Sequence, residues 1–365
     1  MKRKKVFLYA YDETNVGDDL FIHMITSRYP KVQFFMDCKS DSSVWYFDQI
    51  NNLFPYYQNK GIHNILNKIR PSFAARYRNY FENKCDAAVY IGGSIFIEYD
   101  NWELITSWWD YQAKNRKFYV IGANFGPYKT EEYKQEMNNI FSNMQDVCFR
   151  DSFSKELFSE CKTIRCAPDI IFSYDITKCS NKKKQVVFSV INCKLKDEGK
   201  NQLGAYHNDY MNYMERLAKE FLHDGYQVIF TSFCKKEGDE LVVNELENRL
   251  KDYYNQIEKI YYDGGNLDYL INVIAESEFV VASRFHAMIL GLIAKSKVLP
   301  LIYSDKTIQT LKDISYHGLY IDIRKNSNIY MAEYEKVKSI TNEIDLSRIK
   351  KEAEKHFCRL DQLLK

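Results

Sequence analysis

Residues 279–294 read Phe-Val-Val-Ala-Ser-Arg-Phe-His-Ala-Met-Ile-Leu-Gly-Leu-Ile-Ala, and this stretch decides the fold of the chain. The apolar run Phe279–Ala282 predicts a buried strand, and Ala287–Ala294 predicts a helix that starts a few residues later. A strand that turns directly into a helix is the repeating unit of a parallel sheet with crossover helices. Side chains in such a turn lie at the carboxyl edge of the sheet, where α/β proteins bind their ligands.

The same rhythm of strand, turn and helix continues on both sides of this stretch. A loop at 12–19 and a helix from Leu20 follow the first predicted strand. Polar, lysine-rich residues 177–185 interrupt the rhythm once and predict a linker. The other predicted strands are Val6–Tyr11, Ala87–Ile91, Phe118–Ile121, Val147–Phe149, Ile164–Cys166, Val186–Ile191, Val228–Phe230, Ile260–Tyr262 and Val298–Ile302.

Length and composition predict two domains. A chain of 365 residues exceeds one ordinary core, and its hydrophobic content of 45% suits a globular protein. The predicted fold class is therefore α/β, with two Rossmann-like domains that face each other across a cleft. Residues 1–178 are predicted to form the N-terminal domain and residues 185–343 the C-terminal domain. Residues 344–365 are predicted to form one closing helix.

Composition also excludes several classes of function. The formal net charge of +2 gives no reason to expect a nucleic-acid partner. The nine cysteines are odd in number and include no Cys-x-x-Cys pair, which predicts a reduced protein with no bound metal. No apolar run approaches the roughly 18 residues of a membrane span. We therefore expect a cytoplasmic protein.

A basic, aromatic insert at residues 45–84 breaks the rhythm of the N-terminal half. One interpretation is a set of helices that pack on the sheet and turn a solvated basic face outward. The other is a surface that contacts anionic lipid, or a glycan linked to lipid, at the inner face of the membrane. The basic residues are Lys60, Lys68, Arg70, Arg76, Arg78 and Lys84.

The turn Ser283–His286 carries the side chains best suited to chemistry. Arg284 and His286 are two positions apart, so in extended backbone both side chains point the same way. A guanidinium group fits a carboxylate or phosphate, and a histidine can hold or donate a proton near neutral pH. Amide groups at the start of the next helix add partial positive charge. These features predict an anion site. The alternative is an ion pair between Arg284 and a carboxylate, beside a structural histidine.

Two further cations follow strand ends and could join this anion site. Arg150 precedes a helix that Asp151 can cap, and Lys306 lies just past a predicted strand. The alternative for Arg150 is an ion pair with Asp169 or Asp151. The alternative for Lys306 is a solvated position on the surface.

Glycine-rich turns and the first loop are the remaining candidates, on the side where sugar hydroxyls are expected. Glycine at a strand end lets the backbone approach a ligand. Asp18 could orient or deprotonate a hydroxyl, or could serve only as a helix cap. The predicted acceptor-binding residues are Asn15, Gly17, Asp18, Gly92, Gly93, Ser94, Asn124 and Gly126.

In their order along the chain, these pieces resemble the polysaccharide pyruvyl transferase family. The resemblance implies a glycosyltransferase-B-like (GT-B-like) fold and transfer of a pyruvyl ketal from phosphoenolpyruvate, with no other cofactor, to a sugar of a cell-surface glycan or its precursor. It implies that Arg284 and His286 bind the donor and that Arg150 corresponds to the arginine of the family's Arg-Asp element. The matching pieces are Asn15-Val-Gly17-Asp18, Gly92-Gly93-Ser94, Gly122–Pro127, Arg150-Asp151-x-x-Ser154, Pro168-Asp169 and Arg284-Phe-His286.

On this basis each domain has a predicted role. His286 is predicted to bind the donor and supply a proton, Ser283 and Lys306 to bind the donor, and Asp18 to act as base. The N-terminal domain is predicted to bind the acceptor, a sugar or a lipid-linked oligosaccharide. The alternatives are a GT-B glycosyltransferase that uses a nucleotide sugar and a non-catalytic scaffold. The prediction requires that Arg284 is not locked in internal ion pairs.

Overall fold

The structure is a computed structural model and describes residues 3–37, 45–57, 65, 68–69, 71–176, 181–195, 203–325 and 333–365. Its contacts divide the chain into two compact units. Unit 1 comprises Met1–Asp12, Asp18–Ile170 and Lys351–Lys365, and unit 2 comprises Glu13–Gly17 and Ile171–Lys350. Residues Lys351–Lys365 thus belong to unit 1, and Glu13–Gly17 of the first loop belong to unit 2.

Unit 1 is built on a parallel sheet of eight strands. The strands are Lys5–Tyr9 (β1), Gln33–Met36 (β2), Leu53–Pro55 (β3), Ala87–Ile91 (β4), Ser94–Phe96 (β5), Phe118–Phe125 (β6), Asp146–Phe149 (β7) and Ile164–Cys166 (β8). They lie in the order β3-β2-β1-β4-β6-β7-β8, and β5 pairs with β6. The strand order reverses between β1 and β4, so this edge of the sheet is a topological switch point.

Helices cover this sheet and enclose an aromatic core. The Phe96 ring lies 4.9 Å from the Phe141 ring and 4.8 Å from the Trp109 ring, centroid to centroid. Core packing therefore accounts for part of the high aromatic content. The helices are Val16–Arg28 (α1), Trp45–Gln49 (α2), Pro71–Glu82 (α3), Trp102–Asn115 (α4), Glu131–Asn143 (α5) and Ser152–Glu156 (α6).

Unit 2 is a second parallel sheet, of six strands. Its strands are Lys183–Ser189 (β9), Gln227–Ser232 (β10), Ile257–Tyr261 (β11), Ser277–Ala282 (β12), Lys297–Ile302 (β13) and Ile321–Asp322 (β14). The order β11-β10-β9-β12-β13-β14 is that of a doubly wound dinucleotide-binding sheet. Its helices are His207–His223 (α7), Asp239–Arg249 (α8), Leu267–Glu276 (α9), Phe285–Ile293 (α10), Asp305–Asp313 (α11) and Tyr334–Lys338 (α12).

The end of the chain is not the single helix predicted for residues 344–365. It forms Leu346–Ala353 (α13) and Cys358–Leu364 (α14), joined by a 3₁₀ turn. The turn is fixed because the buried His356 accepts the Gly122 N–H at 3.3 Å through Nδ1. Its Nε2 lies 2.9 Å from the Pro168 carbonyl, to which the neutral ring donates. His356 thus connects two predicted motifs, Gly122–Pro127 and Pro168-Asp169, through hydrogen bonds to Gly122 and Pro168.

Several predicted boundaries shift in the structure. Helix α1 begins at Val16 rather than Leu20, because the Asn15 side chain accepts the Gly17 N–H at 3.1 Å and orders the turn. Of the predicted linker 177–185, residues 177–180 lie outside the described residues, and Lys183–Gln185 already belong to β9. The strands β2, β3, β5 and β14 were not predicted; they are short and carry little periodic signal.

The insert at 45–84 contains one strand of the sheet, β3, and helix α3. Phe81 of α3 packs edge-to-face on Phe35 of β2, with ring centroids 4.9 Å apart. Arg78, predicted on a solvated basic face, instead points inward and pairs with the buried Glu82 at 2.8 Å. Lys60 and Arg70 lie outside the described residues. One face of α3 is therefore part of unit 1's core.

Among the helices of the described residues, none combines the length and apolar character that crossing a membrane requires. The cysteines within the described ranges are free thiols. Across those same ranges, no group of three or more His, Cys, Asp or Glu side chains is placed to hold a metal ion.

The burial of His356 predicts a specific loss of stability in acid. Burial lowers the pKa of His356 to about 3, from 6.5. Below pH 6.5 the unfolded chain binds a proton that the folded chain does not, so folding stability decreases as the pH falls. We expect His356→Gln to remove up to about 1.4 kcal/mol per pH unit of this slope between pH 6.5 and 5.

Urea unfolding at several pH values measures this slope. His317→Gln is the matched control, because His317 is exposed in unit 2. An unchanged slope in His356→Gln would show that His356 is protonated in the folded protein.

Candidate functional site

The predicted site residues of unit 2 lie at its topological switch point. β12 pairs with β9 in parallel register, with Ala282 beside Ser189. The next residues of the chain are held there because Ser283 N–H donates to the Ser189 carbonyl at 3.0 Å. Arg284 precedes α10, whose first residues are Phe285 and His286. The Arg-x-His element therefore leaves the carboxyl edge of the sheet where such folds bind ligands.

Gly17 and His286 are in direct contact. A Cβ atom added to Gly17 would overlap the Nδ1, Cε1 and Cγ atoms of the half-buried His286 ring. Only glycine leaves room for the imidazole at this distance. The Asn-Val-Gly element and the Arg-x-His element, far apart in sequence, thus pack against each other within unit 2.

The first loop reaches this position because it is tied to the turn after β10. Val16 N–H donates to the Phe233 carbonyl at 3.2 Å, and Asn15 forms an antiparallel bridge with Cys234. Glu13 pairs with Lys236 at 2.7 Å. These contacts explain why Glu13–Gly17 belongs to unit 2.

Arg284 is not an open cationic group in this structure. Its guanidinium pairs with both Asp239 and Glu237, and the Nε–Oδ2 distance to Asp239 is 2.9 Å. The Arg284 side chain is 7% exposed and that of Asp239 is fully buried, whereas that of Glu237 is 27% exposed. One positive charge therefore faces two carboxylates. The predicted free cationic pocket around Arg284 is therefore wrong, and the requirement that Arg284 is not held in internal ion pairs is not met. The structure has the alternative raised from the sequence, an internal ion-pair network.

Asp239 is the residue that sequence reasoning missed. It accepts the N–H groups of Phe233 and Cys234, both at 3.0 Å, in addition to two bonds from Arg284. Burial raises the pKa of Asp239, and the contact with Arg284 opposes that rise. Its signal in the sequence was an acidic residue at a helix start just after a strand. Its partner could not be inferred, because β9 and β10 are needed to bring residues 239 and 284 together.

The other two predicted donor residues of unit 2, Ser283 and Lys306, have different surroundings. The Ser283 hydroxyl is buried and lies 2.8 Å from the Tyr210 hydroxyl, which also accepts the Ile191 N–H at 3.2 Å. Ser283 therefore braces the turn. Lys306 lies in the first turn of α11, and its Nζ is 5.9 Å from the Phe285 ring centroid. Lys306 thus lies close to the residue that precedes His286.

The predicted residues of unit 1 form a separate polar cluster. Arg150 Nη1 pairs with the buried Asp169 at 3.1 Å, and Arg150 Nη2 donates to Asn124 Oδ1 at 2.6 Å. Ser94 donates to the same Asn124 oxygen at 3.0 Å. A Cβ atom on Gly93 would lie 2.7 Å from the Arg150 guanidinium. Arg150, predicted to bind the donor, is thus grouped with predicted acceptor residues and already has a carboxylate partner.

Three further predicted acceptor residues lie at the same edge of unit 1. Gly92 follows β4, and Gly126 has a positive φ of 93° after β6. Asp18 is partly buried in the first turn of α1. Burial raises the pKa of Tyr90, in β4, to about 12, and the negative charge of Asp18 adds to the rise. Asp18 therefore lies near the carboxyl end of β4.

Comparison with known sequences identifies relatives of this chain. The family model described as "Polysaccharide pyruvyl transferase" matches residues 15–306. The "Amylovoran biosynthesis protein AmsJ" of Erwinia amylovora is 22% identical over 264 residues, which are 66% of this chain. The match spans 62% of that relative's length.

Comparison with solved structures shows the fold. An S. aureus MnaA–UDP co-structure aligns with a TM-score of 0.58 and 12% identity, covering 99% of this chain and 95% of that one. The UDP-GlcNAc 2-epimerase of Neisseria meningitidis, bound to UDP-GlcNAc, gives 0.56 and 12%, covering 99% of each chain. Anabaena Alr3699/HepE in complex with UDP-glucose gives 0.56 and 10%, covering 100% and 98%. The predicted GT-B-like fold of two parallel-sheet α/β domains is confirmed.

The contact between Gly17 and His286 predicts a coupled pair of substitutions. Gly17→Ala places a methyl group where the imidazole lies, so we expect a loss of about 1–3 kcal/mol in the free energy of unfolding. In a His286→Ala background the same change should cost almost nothing, since the space is open. A double-mutant cycle by urea unfolding measures this coupling. Additive effects of the two changes would contradict the contact.

Proposed function

The chain belongs to the polysaccharide pyruvyl transferase family, and from that premise we propose that it transfers a pyruvyl group from phosphoenolpyruvate to a hydroxyl pair of a sugar. The acceptor is proposed to belong to a cell-surface polysaccharide or its precursor. The name of the relative from Erwinia amylovora, an amylovoran biosynthesis protein, supports a role in polysaccharide assembly. The proposed reaction takes place in the cytoplasm.

One observation supports this proposal above the others: the packing of Gly17 against His286. It joins the Asn-Val-Gly element and the Arg-x-His element of the sequence at a single place in unit 2. The place is the switch point of a doubly wound sheet, where α/β proteins bind ligands.

The proposed reaction balances without a redox partner. A proton is added to the methylene carbon of phosphoenolpyruvate, which becomes a methyl group and leaves a cation-like central carbon. One sugar hydroxyl attacks that carbon and loses its proton. A second hydroxyl then displaces phosphate, which departs with the C–O electrons and takes up that hydroxyl's proton. The products are a pyruvate ketal and inorganic phosphate.

The proposed roles follow the chemistry that each step needs. His286 supplies the proton to the methylene carbon, because a histidine can exchange protons near neutral pH. Asp18, which follows Gly17 in the chain, is the proposed base for a hydroxyl. Lys306 contributes positive charge toward the donor. Asn124 and Ser94 offer amide and hydroxyl groups for the acceptor.

Arg284 can meet an anionic donor only by exchanging one of its carboxylate partners. Asp239 is fully buried and holds two of the guanidinium nitrogens, so it stays in place. Glu237 contacts the third nitrogen and is partly exposed. We therefore propose that the carboxylate or phosphate of the donor displaces Glu237 from Arg284, which keeps the charge of the arginine balanced.

Turnover with defined substrates tests the proposed function. Purified protein incubated with phosphoenolpyruvate and a panel of simple glycosides should release phosphate and yield a product heavier by one pyruvyl group. We expect His286→Gln to lower this rate by about 100-fold or more, because general acid catalysis contributes about that much. His317→Gln, which changes an exposed histidine, should retain the rate.

Thermal shift separates the proposal from its alternative. Phosphoenolpyruvate should raise the melting temperature of a pyruvyl transferase, since a ligand stabilises the state that binds it. A shift with a nucleoside diphosphate and none with phosphoenolpyruvate would favour a nucleotide-sugar glycosyltransferase instead. Unaltered turnover in His286→Gln would remove His286 from the mechanism.

Glu237→Gln should strengthen donor binding. Its negative charge competes with the donor for Arg284, and such a partly exposed contact is worth about 1 kcal/mol, or about fivefold in KM. Glu240→Gln is the matched control, because it removes the same charge three residues further along, in the first turn of α8, where Glu240 lies 3.8 Å from Lys235. A rise in KM for Glu237→Gln would mean that Glu237 orients Arg284 rather than competing for it.

A further inference from the structure

The exposed side chains among the described residues 65–84 make up part of the surface of unit 1, and neither the core nor the proposed reaction uses them. We call this the insert surface. Ile65, Ile69, Tyr77 and Tyr80 are 57%, 72%, 39% and 62% exposed, respectively. Arg76, on the same helix as the two tyrosines, is exposed, and so is Lys84 in the turn that follows that helix. Large apolar and cationic side chains are therefore exposed within one short stretch of the chain.

Helix α3 has a fixed inner face, so its outer face is available for a partner. Phe81 packs against Phe35 in the core. Arg76 and Tyr80 are four positions apart and lie along one side of α3, and Lys84 follows in the turn after the helix ends at Glu82. Lys84 Nζ is 5.1 Å from the Tyr80 ring centroid, so cation and aromatic ring form one combined group.

The charge of the insert surface has a single sign. Among the described residues 65–84 the cations are Lys68, Arg76, Arg78 and Lys84, and the one acid is Glu82. Glu82 is 2% exposed and is engaged by Tyr9 at 2.6 Å, by Arg78 at 2.8 Å and by Arg116 at 2.8 Å. No carboxylate among the described residues 65–84 is therefore left on the outside to balance Arg76 and Lys84.

We propose that the insert surface binds the face of a bilayer that contains anionic phospholipid. Basic side chains would meet the phosphate groups, while Ile65, Ile69 and Tyr80 would enter the boundary between headgroups and acyl chains. A nucleic acid or other soluble polyanion would satisfy Arg76 and Lys84 but would leave the two isoleucines in water. This inference is independent of the proposed function, although it would bring the enzyme to an acceptor held at a membrane.

Vesicle co-sedimentation of the full chain tests the proposal. We expect binding to vesicles of phosphatidylcholine with phosphatidylglycerol, no binding to phosphatidylcholine alone, and a decrease with added salt. The pair Arg76→Gln and Lys84→Gln should weaken binding by about tenfold or more. The pair Ile69→Ser and Tyr80→Ser should weaken it as well, because apolar insertion contributes to affinity.

Matched controls remove the same charge or apolar group elsewhere on unit 1. Lys117→Gln with Lys155→Gln deletes two exposed cations, and Leu104→Ser removes a side chain that is 74% exposed. These controls should bind as the unchanged protein does. All variants should keep their melting temperature and their turnover on soluble substrates, so failure of lipid binding is distinguishable from failure of the proposed reaction.

Three results would overturn the proposal. The first is no binding to either kind of vesicle, and the second is equal binding of the charge pair and the unchanged protein. The third is loss of binding in the charge pair with none in the Ile69 and Tyr80 pair, together with competition by polyphosphate. That pattern would identify a site for soluble polyanions instead of a lipid surface.

Discussion

The ion pair between Arg284 and the buried Asp239 holds the unit 2 site together. Asp239 accepts bonds from Arg284 and from the Phe233 and Cys234 amides, so one carboxylate fixes two separate turns. The backbone at residues 233–234 is hydrogen-bonded to the first loop, and this contact brings Gly17 to His286. A buried charge is tolerated only when it is paired and hydrogen-bonded, and this pairing is what sets the geometry of the loop.

Each unit repeats the same electrostatic design. The arginine that follows a strand end is buried in both units and is balanced by a buried aspartate, Asp239 for Arg284 and Asp169 for Arg150. Burying a guanidinium without a partner would cost about 3–5 kcal/mol of stability. The pairing of both arginines therefore serves the fold, and a ligand can reach them only by replacing a partner. Glu237 is the partly exposed member of the Arg284 network. In the proposed function an anionic donor takes the place of Glu237, so that no buried charge is left uncompensated.

The C-terminal segment makes ion pairs and hydrogen bonds to several elements of unit 1. Arg28 of α1 binds Asp361 at 2.8 Å and Glu354 at 2.7 Å, and its guanidinium lies 4.4 Å from the Phe357 ring centroid. His356, in the same segment, bonds the Gly122 amide and the Pro168 carbonyl. The loops that carry the glycine-rich and Pro-Asp elements are therefore supported from the far end of the chain.

The sequence by itself determined the two parallel-sheet domains, most strand positions and the placement of Ser283–His286 at a strand end. These are local properties, because hydrophobic periodicity and turn residues act over a few positions. Only the tertiary structure decided the partners of Arg284 and Arg150, the contact of Gly17 with His286 and the inward direction of Arg78. The ion pairs and the Gly17–His286 contact join residues that are distant in sequence and become neighbours through strand order and register. The direction of Arg78 depends on how α3 packs against the sheet, which no local pattern encodes. The buried arginines show this most clearly, because the local sequence around an arginine does not reveal whether it pairs with a carboxylate of the protein or is open to a ligand.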